Sequence, residues 1–475
     1  MIKIINILFL ISISLYSFEL EPLGYKAISM GGTGVASSRG SLSNYYNPAL
    51  LSFSKYNNEL SINNSETIKE NNLINKLNKL KIYDINNNIK EIKEHINIGN
   101  KDIYNSTNDS SKNNTLENRL IFQNNLDIIR NIEEKNGFEK TKYQSITSEI
   151  NSLFLIGYFK REDSNIRLNI NKDYTKMIFK DEIDGNYYEY FSINENNQLQ
   201  DIYVLSNELE YIKSSYDFAI KNNINYVEYT KRELEEYPIS SAYLIDMKNG
   251  ILSIGSSIKL MKLKTFYKKY ELGEKLGREI MNENILFNEY DYSIGIDIGL
   301  AYKQKTSKII YGLIIKNINN PIFKSKDKDY TINEFVRAGI SIPLYNNLLE
   351  LNIDMDLTTN ETLLKNEKSK YMGMGLDYKV NKYINIRSGI MENIEAEYYK
   401  RELIYSGGIG LKLKNISIDF SGMTSTSNGQ YDKKEIKKYN SLNFSIIYSF
   451  GKKDDKKKYI MTLDNTKYKK LKYIE

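Results

Sequence analysis

The twelve residues "NLLELNIDMDLT" (347–358) alternate without a break. Leu349, Leu351, Ile353, Met355 and Leu357 fall on one side, and Glu350, Asn352, Asp354 and Asp356 on the other. A helix would scatter these residues around its circumference, whereas a strand separates them cleanly. The stretch is therefore a strand with one apolar and one strongly polar face. The same alternation recurs in "YDYSIGIDIGLAYK" (290–303), "YMGMGLDYKV" (371–380) and "SLNFSIIYSF" (441–450).

Alternating strands suit either a soluble sandwich, apolar inside, or a membrane barrel, apolar outside with a polar lumen. The connections decide. Tight turns fall near residues 414–415, 381–382, 343–347, 306–307 and 249–250, with longer polar loops at 424–439, 392–401, 359–368, 319–331 and 268–289. Short and long connections alternate across eleven strands, as a barrel with turns on one rim and loops on the other requires. Further strand candidates are residues 57–63, 151–160, 165–172 and 214–221. Three of them complete 14 strands; all four, with another near Ile202, complete 16. The expectation is an all-β, transmembrane antiparallel barrel of about 14 strands, residues 54–450, in the outer membrane of a diderm bacterium. Lipid and lipopolysaccharide would surround it, and the barrel-assembly machinery would read the terminal aromatics Tyr448 and Phe450. Tyr292, Tyr302, Tyr345, Tyr371, Tyr378, Tyr405 and Tyr448 lie near strand ends, where aromatic girdles belong.

Composition agrees. The 475 residues are 41% hydrophobic with a mean hydropathy of −0.51, and no run approaches the length of a membrane helix. There is no Cys and a single His, His95, in a polar stretch without a nucleophile motif. Disulfides, a zinc site and a Ser-His-Asp triad are excluded, no cofactor or metal is expected, and nothing pairs a nucleophile with a base. The Asp-rich run 354–361 lacks the spacing and glycine of an EF-hand and reads as a polar rim. Residues 1–17 form a secretory signal peptide. Residues 64–149 read as a polar, partly helical insertion, with Ile68, Leu73, Leu77 and Leu80 near helical spacing. Residues 451–475 carry nine Lys against three Asp and one Glu and form a basic periplasmic tail, for which no nucleic-acid partner is expected.

Between leader and wall lies residues 18–53, including "GYKAISMGGTGVASSRGSLSNYYNPALLSF" (24–53). No Lys follows its glycines as a P-loop needs, and no strand precedes them as a dinucleotide site needs. A barrel of about 14 strands is too wide for wall side chains to fill, so this small-residue segment is expected to fold into the lumen as a hatch. Pro48 then pushes Asn47 to extended geometry just before the wall begins.

This stretch resembles the N-terminal hatch of the FadL-type outer-membrane transport superfamily. Met30, Gly31, Gly32 and Gly34 match its small-residue segment, and Asn47, Pro48 and Ala49 its "NPA" motif. The second half is more similar to the TraF-type branch, a group associated with conjugal transfer, through "YGLIIKNINNPIF" (311–323), "VRAGISIPLYNNLLELNIDMDLTTNET" (336–362) and "YMGMGLDYKVNKYINIRSGI" (371–390). The resemblance implies a 14-stranded barrel with an N-terminal hatch, moving hydrophobic small molecules inward. Against that cargo, the expected lumen face is polar: Glu350, Asn352, Asp354, Asp356, Asp377, Lys379, Asn385 and Arg387, joined by Lys412 and Asp419. The alternative function is a non-transport barrel whose insertion or tail recruits conjugation or envelope-assembly proteins.

Overall fold

The computed structural model describes residues 19–82, 137–452 and 460–462, apart from residues 72, 183, 196–197, 273, 276, 284–286, 288, 326–328, 365–366, 397–400 and 432–433. Residues 1–17, expected to form a signal peptide, His95 and most of the basic tail lie outside the described residues.

Fourteen antiparallel strands close into one barrel. They are β1 (Tyr56–Glu70), β2 (Phe138–Ile150), β3 (Phe154–Asn169), β4 (Tyr226–Met247), β5 (Gly250–Tyr270), β6 (Glu289–Gln304) and β7 (Ile310–Lys316). The second half adds β8 (Phe335–Leu344), β9 (Leu349–Asp356), β10 (Tyr371–Lys379), β11 (Ile384–Asn393), β12 (Leu403–Leu413), β13 (Ile416–Ser425) and β14 (Tyr439–Lys452). Each pairs with its chain neighbours, and β1 closes on β14 from Tyr56↔Lys452 to Lys69↔Tyr439. Closure leaves no open edge over most of the wall, which a sheet in hydrocarbon requires because no water is there to satisfy stray N–H and C=O groups. Among the described residues no helix is long and apolar enough to cross a membrane.

The outer face carries Leu60, Ile62, Ile258, Ile294, Leu376, Ile386, Phe420, Leu442 and Phe444, all exposed. Buried polar side chains line the inner face, among them Asn63, Thr141, Ser253, Asp297, Asn352 and Asn443. This inverts the arrangement of a water-soluble sheet. Tyr448 and Phe450 sit on the outer face of β14 with ring centroids 5.3 Å apart. The outer tyrosines lie near the two rims, but Tyr371 points inward and is buried beside Met391, because it shares its parity with Gly373.

The early strands differ from expectation in detail. Residues 64–149 are not one insertion: β1 runs on to Glu70 and β2 starts at Phe138. A helix does form at Leu73–Ile82, without Ile68, which belongs to β1. Residues 151–160 and 165–172 are parts of a single strand, β3, that runs through "REDS". Arg161 and Asp163 point into the lumen and pair with each other at 2.8 Å, so the charges that read as a turn are interior ones. Residues 214–221 belong to helices, and Ile202 to a small sheet off the barrel, Ile178–Lys180, Tyr187–Glu195 and Gln198–Ser206. At the rim of long connections this sheet and its helices share an apolar core with the barrel loops, including Leu73, Leu168, Phe179, Tyr216 and Tyr270.

Candidate functional site

Residues 19–53 lie inside the wall, almost every one buried. The segment folds as α1 (Gly24–Ser29), α2 (Ser43–Tyr46) and a 3-10 turn (Pro48–Phe53), joined by bends. Gly31 and Gly32 take positive φ values of 65° and 78° after α1, a conformation that only glycine reaches without strain. Tyr46 staples the segment to itself: its hydroxyl donates to the Leu23 carbonyl at 2.8 Å and accepts from the Leu23 N–H at 2.6 Å. Asn47 is extended at φ −167°, and its Oδ1 accepts from the Ala49 N–H at 3.1 Å, capping the turn that Pro48 begins.

The "NPA" triplet is fastened to the wall by its backbone and amide. Asn47 Nδ2 donates to the carbonyls of Val35 and of Leu300 on β6, each at 3.0 Å. Ser253 of β5 donates to the Ala49 carbonyl at 2.8 Å. Inward glycines make room for this approach. A Cβ on Gly255 would meet the Pro48–Ala49 peptide, one on Gly299 the Asn47 amide, and one on Gly373 the Gly31 carbonyl. Met30 packs over Gly375 in the same way, and its sulfur lies 3.6 Å from Asn352 Nδ2. The alternation of glycine with large outward residues in "YMGMGLDYKV" thus records the track of the segment along the wall.

The inward charges from the sequence meet the segment in separate places. Asp354 accepts from the N–H groups of Gly34 at 2.7 Å and Val35 at 2.9 Å. Asp356 instead pairs with Arg337 and accepts from the Tyr371 N–H at 2.8 Å, and Arg337 donates to the Gly32 carbonyl at 3.2 Å. The two carboxylates therefore serve different partners rather than converging on one ion. Glu350 holds Lys26 at 2.8 Å and Arg39 at 3.4 Å. Arg387 pairs with Asp419 at 2.7 Å and Asp377 at 3.4 Å, with its guanidinium 4.7 Å from the Tyr25 ring. Lys379 and Asn385 lie nearer the rim of short turns, where Lys379 donates to the Asn347 carbonyl.

Sequence reading did not find the anchors on the early strands. Lys69 of β1 binds Glu19 at 2.6 Å and also Glu21, with Glu139 of β2 at 3.8 Å. Arg161 of β3 donates to the Glu19 carbonyl at 2.9 Å, and Arg232 of β4 reaches Asp163 at 3.4 Å. Burial raises the Glu19 carboxyl above its ordinary range against the pull of Lys69. Lys316 of β7 donates to the Tyr45 carbonyl at 2.8 Å and lies 4.2 Å from the Tyr45 ring. A signal was present: Lys69, Glu139, Arg161 and Asp163 share the inward parity of their strands, legible once the strand bounds are known. The cavity beside Tyr45 and Phe335 measures about 40 Å³, too small for more than a water or two.

The barrel is similar to solved structures at low identity. The toluene transporter TbuX of Ralstonia pickettii is 13% identical, with 91% of this chain and 99% of that one covered and a TM-score of 0.44. The toluene transporter TodX of Pseudomonas putida is 12% identical over 91% and 100%, with a TM-score of 0.44. A FadL homologue of Pseudomonas aeruginosa is 10% identical over 92% and 100%, with a TM-score of 0.43. No curated protein matches the chain. The family comparison is of another kind, because it spans the sequence from α2 through the last residue of β9, the very stretch in which the "NPA" triplet, its glycine seats and the paired aspartates lie. Residues 44–356 match the family described as "F plasmid transfer operon, TraF, protein", and the chain belongs to that family.

Proposed function

We propose that the protein is an outer-membrane barrel that passes small molecules when its N-terminal plug is displaced. One observation carries this reading: residues 19–53 are buried inside the wall, held there by hydrogen bonds, ion pairs and close packing and, in a chain without cysteine, by no disulfide. The apolar outer face and the girdle tyrosines support the membrane location. Small hydrophobic molecules are the cargo that the FadL-type resemblance implies, and the polar lumen stands against that cargo.

The test is conductance in planar bilayers. The intact protein is expected to be silent and a variant lacking residues 24–49 to conduct. Met30→Cys with Asn352→Cys in this Cys-free chain adds a lock: oxidation should keep the barrel closed and reduction release it. Binding of toluene or a fatty acid to the intact protein would support the hydrophobic cargo. Silence in the deletion variant would overturn passage.

That outcome would leave a second reading, a barrel that anchors partners. A separate observation favours it: Phe191, Val204, Leu205, Leu209 and Ile212 are exposed on the loop-borne sheet and its helix. Apolar clusters at a surface distal to the membrane mark contact sites. Co-purification with conjugation or envelope proteins, lost in Leu205→Asp, would support this reading.

A further inference from the structure

A second cavity lies between the plug and the wall at the rim of short turns. It measures about 290 Å³, near the lower end of the roughly 300–1,000 Å³ usual for ligand sites. Seven Lys and Arg and four Asp and Glu line it. The carboxylates are already engaged: Glu350 by Lys26 and Arg39, Asp377 and Asp419 by Arg387, and Glu59 by Ser41 and Ser449. Lys55, Lys379, Lys382 and Lys412 have no ion pair among the described residues. Four buried atoms on the cavity wall also lack a hydrogen-bond partner: the Ser37 hydroxyl, Arg39 Nε, and Arg387 Nε with Asp377 Oδ1, which face each other at 3.4 Å. Of these, the Ser37 hydroxyl and Arg39 Nε can donate and face no carboxylate at those atoms. A buried donor left without a partner is destabilised, so an acceptor that meets it is stabilised there.

We infer that this vestibule binds a small oxyanion, a phosphate or a carboxylate. The lysines without an ion pair supply the charge, although Lys379 and Lys412 already donate to the Asn347 carbonyl and the Tyr56 hydroxyl, and the stranded donors supply direction. The inference goes beyond passage through the barrel. It needs the plug in place, because Ser37 and Arg39 belong to the plug, and it does not need the plug to move.

The test is isothermal titration of the full-length protein in detergent at low salt, with inorganic phosphate and then with citrate as probes. Saturable binding is expected, weakening as salt screens the lysines. Lys55→Gln with Lys382→Gln should lower phosphate affinity at least tenfold, because neither side chain holds up the wall. Lys469→Gln with Lys470→Gln, in the basic tail, should leave it unchanged. The variant lacking residues 24–49 should lose binding. No saturable uptake of either probe, or an unchanged titration in the Lys55/Lys382 variant, would overturn the vestibule. The readout is an equilibrium on a closed barrel, so a failure of the conductance test does not decide it. Tighter binding of citrate would mark a carboxylate ligand, and of phosphate a phosphate ligand, each supporting the site.

Discussion

The Asp354 carboxylate, on the inner face of β9, accepts from the backbone N–H of Gly34 at 2.7 Å, and the same oxygen accepts from Val35. A wall side chain thus satisfies two consecutive donors of the plug, where the plug has no regular structure to do so itself. Asp354→Ala strands both, at about 1–3 kcal/mol for each buried donor. Amide exchange at Gly34 and Val35 should accelerate while exchange in β9 and β10 stays slow. Unchanged protection of the plug would show that this contact is not an anchor.

Gly373 leaves room for the Gly31 carbonyl, and any Cβ there collides with backbone. Gly373→Val is therefore expected to expel or misplace the plug while the barrel still folds, since the new side chain suits a strand. Protease sensitivity within residues 24–53 and raised conductance would report it. Gly407→Ala is the control, because a Cβ at Gly407 meets no atom closer than 3.8 Å.

Lys69 is the common partner of Glu19 and Glu21, with Glu139 nearby. Lys69→Met leaves buried carboxylates uncompensated, a change that costs about 3–5 kcal/mol where a buried pair is broken. The pH dependence has a definite sign. Burial already raises the Glu19 carboxyl, and removal of Lys69 raises it further. A carboxyl raised in the folded chain stays protonated there while the unfolded chain ionises, so stability falls as pH rises through that window. The variant should lose plug protection from acidic toward neutral pH and regain it on acidification. A loss equal at all pH values would mean that packing, not charge, is what Lys69 supplies.

Leu376 on β10 and Leu413 at the end of β12 both face outward and are exposed. Arginine on the lipid face of a barrel costs about 2–4 kcal/mol near the bilayer midplane and about 0–1 near its edge. Leu376→Arg should therefore lower the urea midpoint in lipid vesicles clearly, and Leu413→Arg hardly at all. Equal, small effects at both positions would argue against a lipid-facing wall.

The sequence by itself determined the kind of wall and most of its strands. Period-two alternation in 347–358 and its neighbours assigns a face to most side chains of the later strands, and the alternation of short with long connections admits a barrel rather than a sandwich. It also placed extended backbone at Asn47, just before the wall begins, because a proline restricts the residue before it locally. What tertiary structure alone decided is which polar groups meet. Arg161 and Asp163 read as a turn until the lumen paired them, and β2 was unreadable because its inward Glu139, Thr141 and Ser145 are as polar as a loop. Whether Gly373 is a weakness in a strand or a seat for Gly31, and whether Glu350 faces water or Lys26, depends on residues more than 300 positions away. Alternation is a property of neighbours along the chain. The partners of a buried charge are set only when the barrel closes around the segment that fills it.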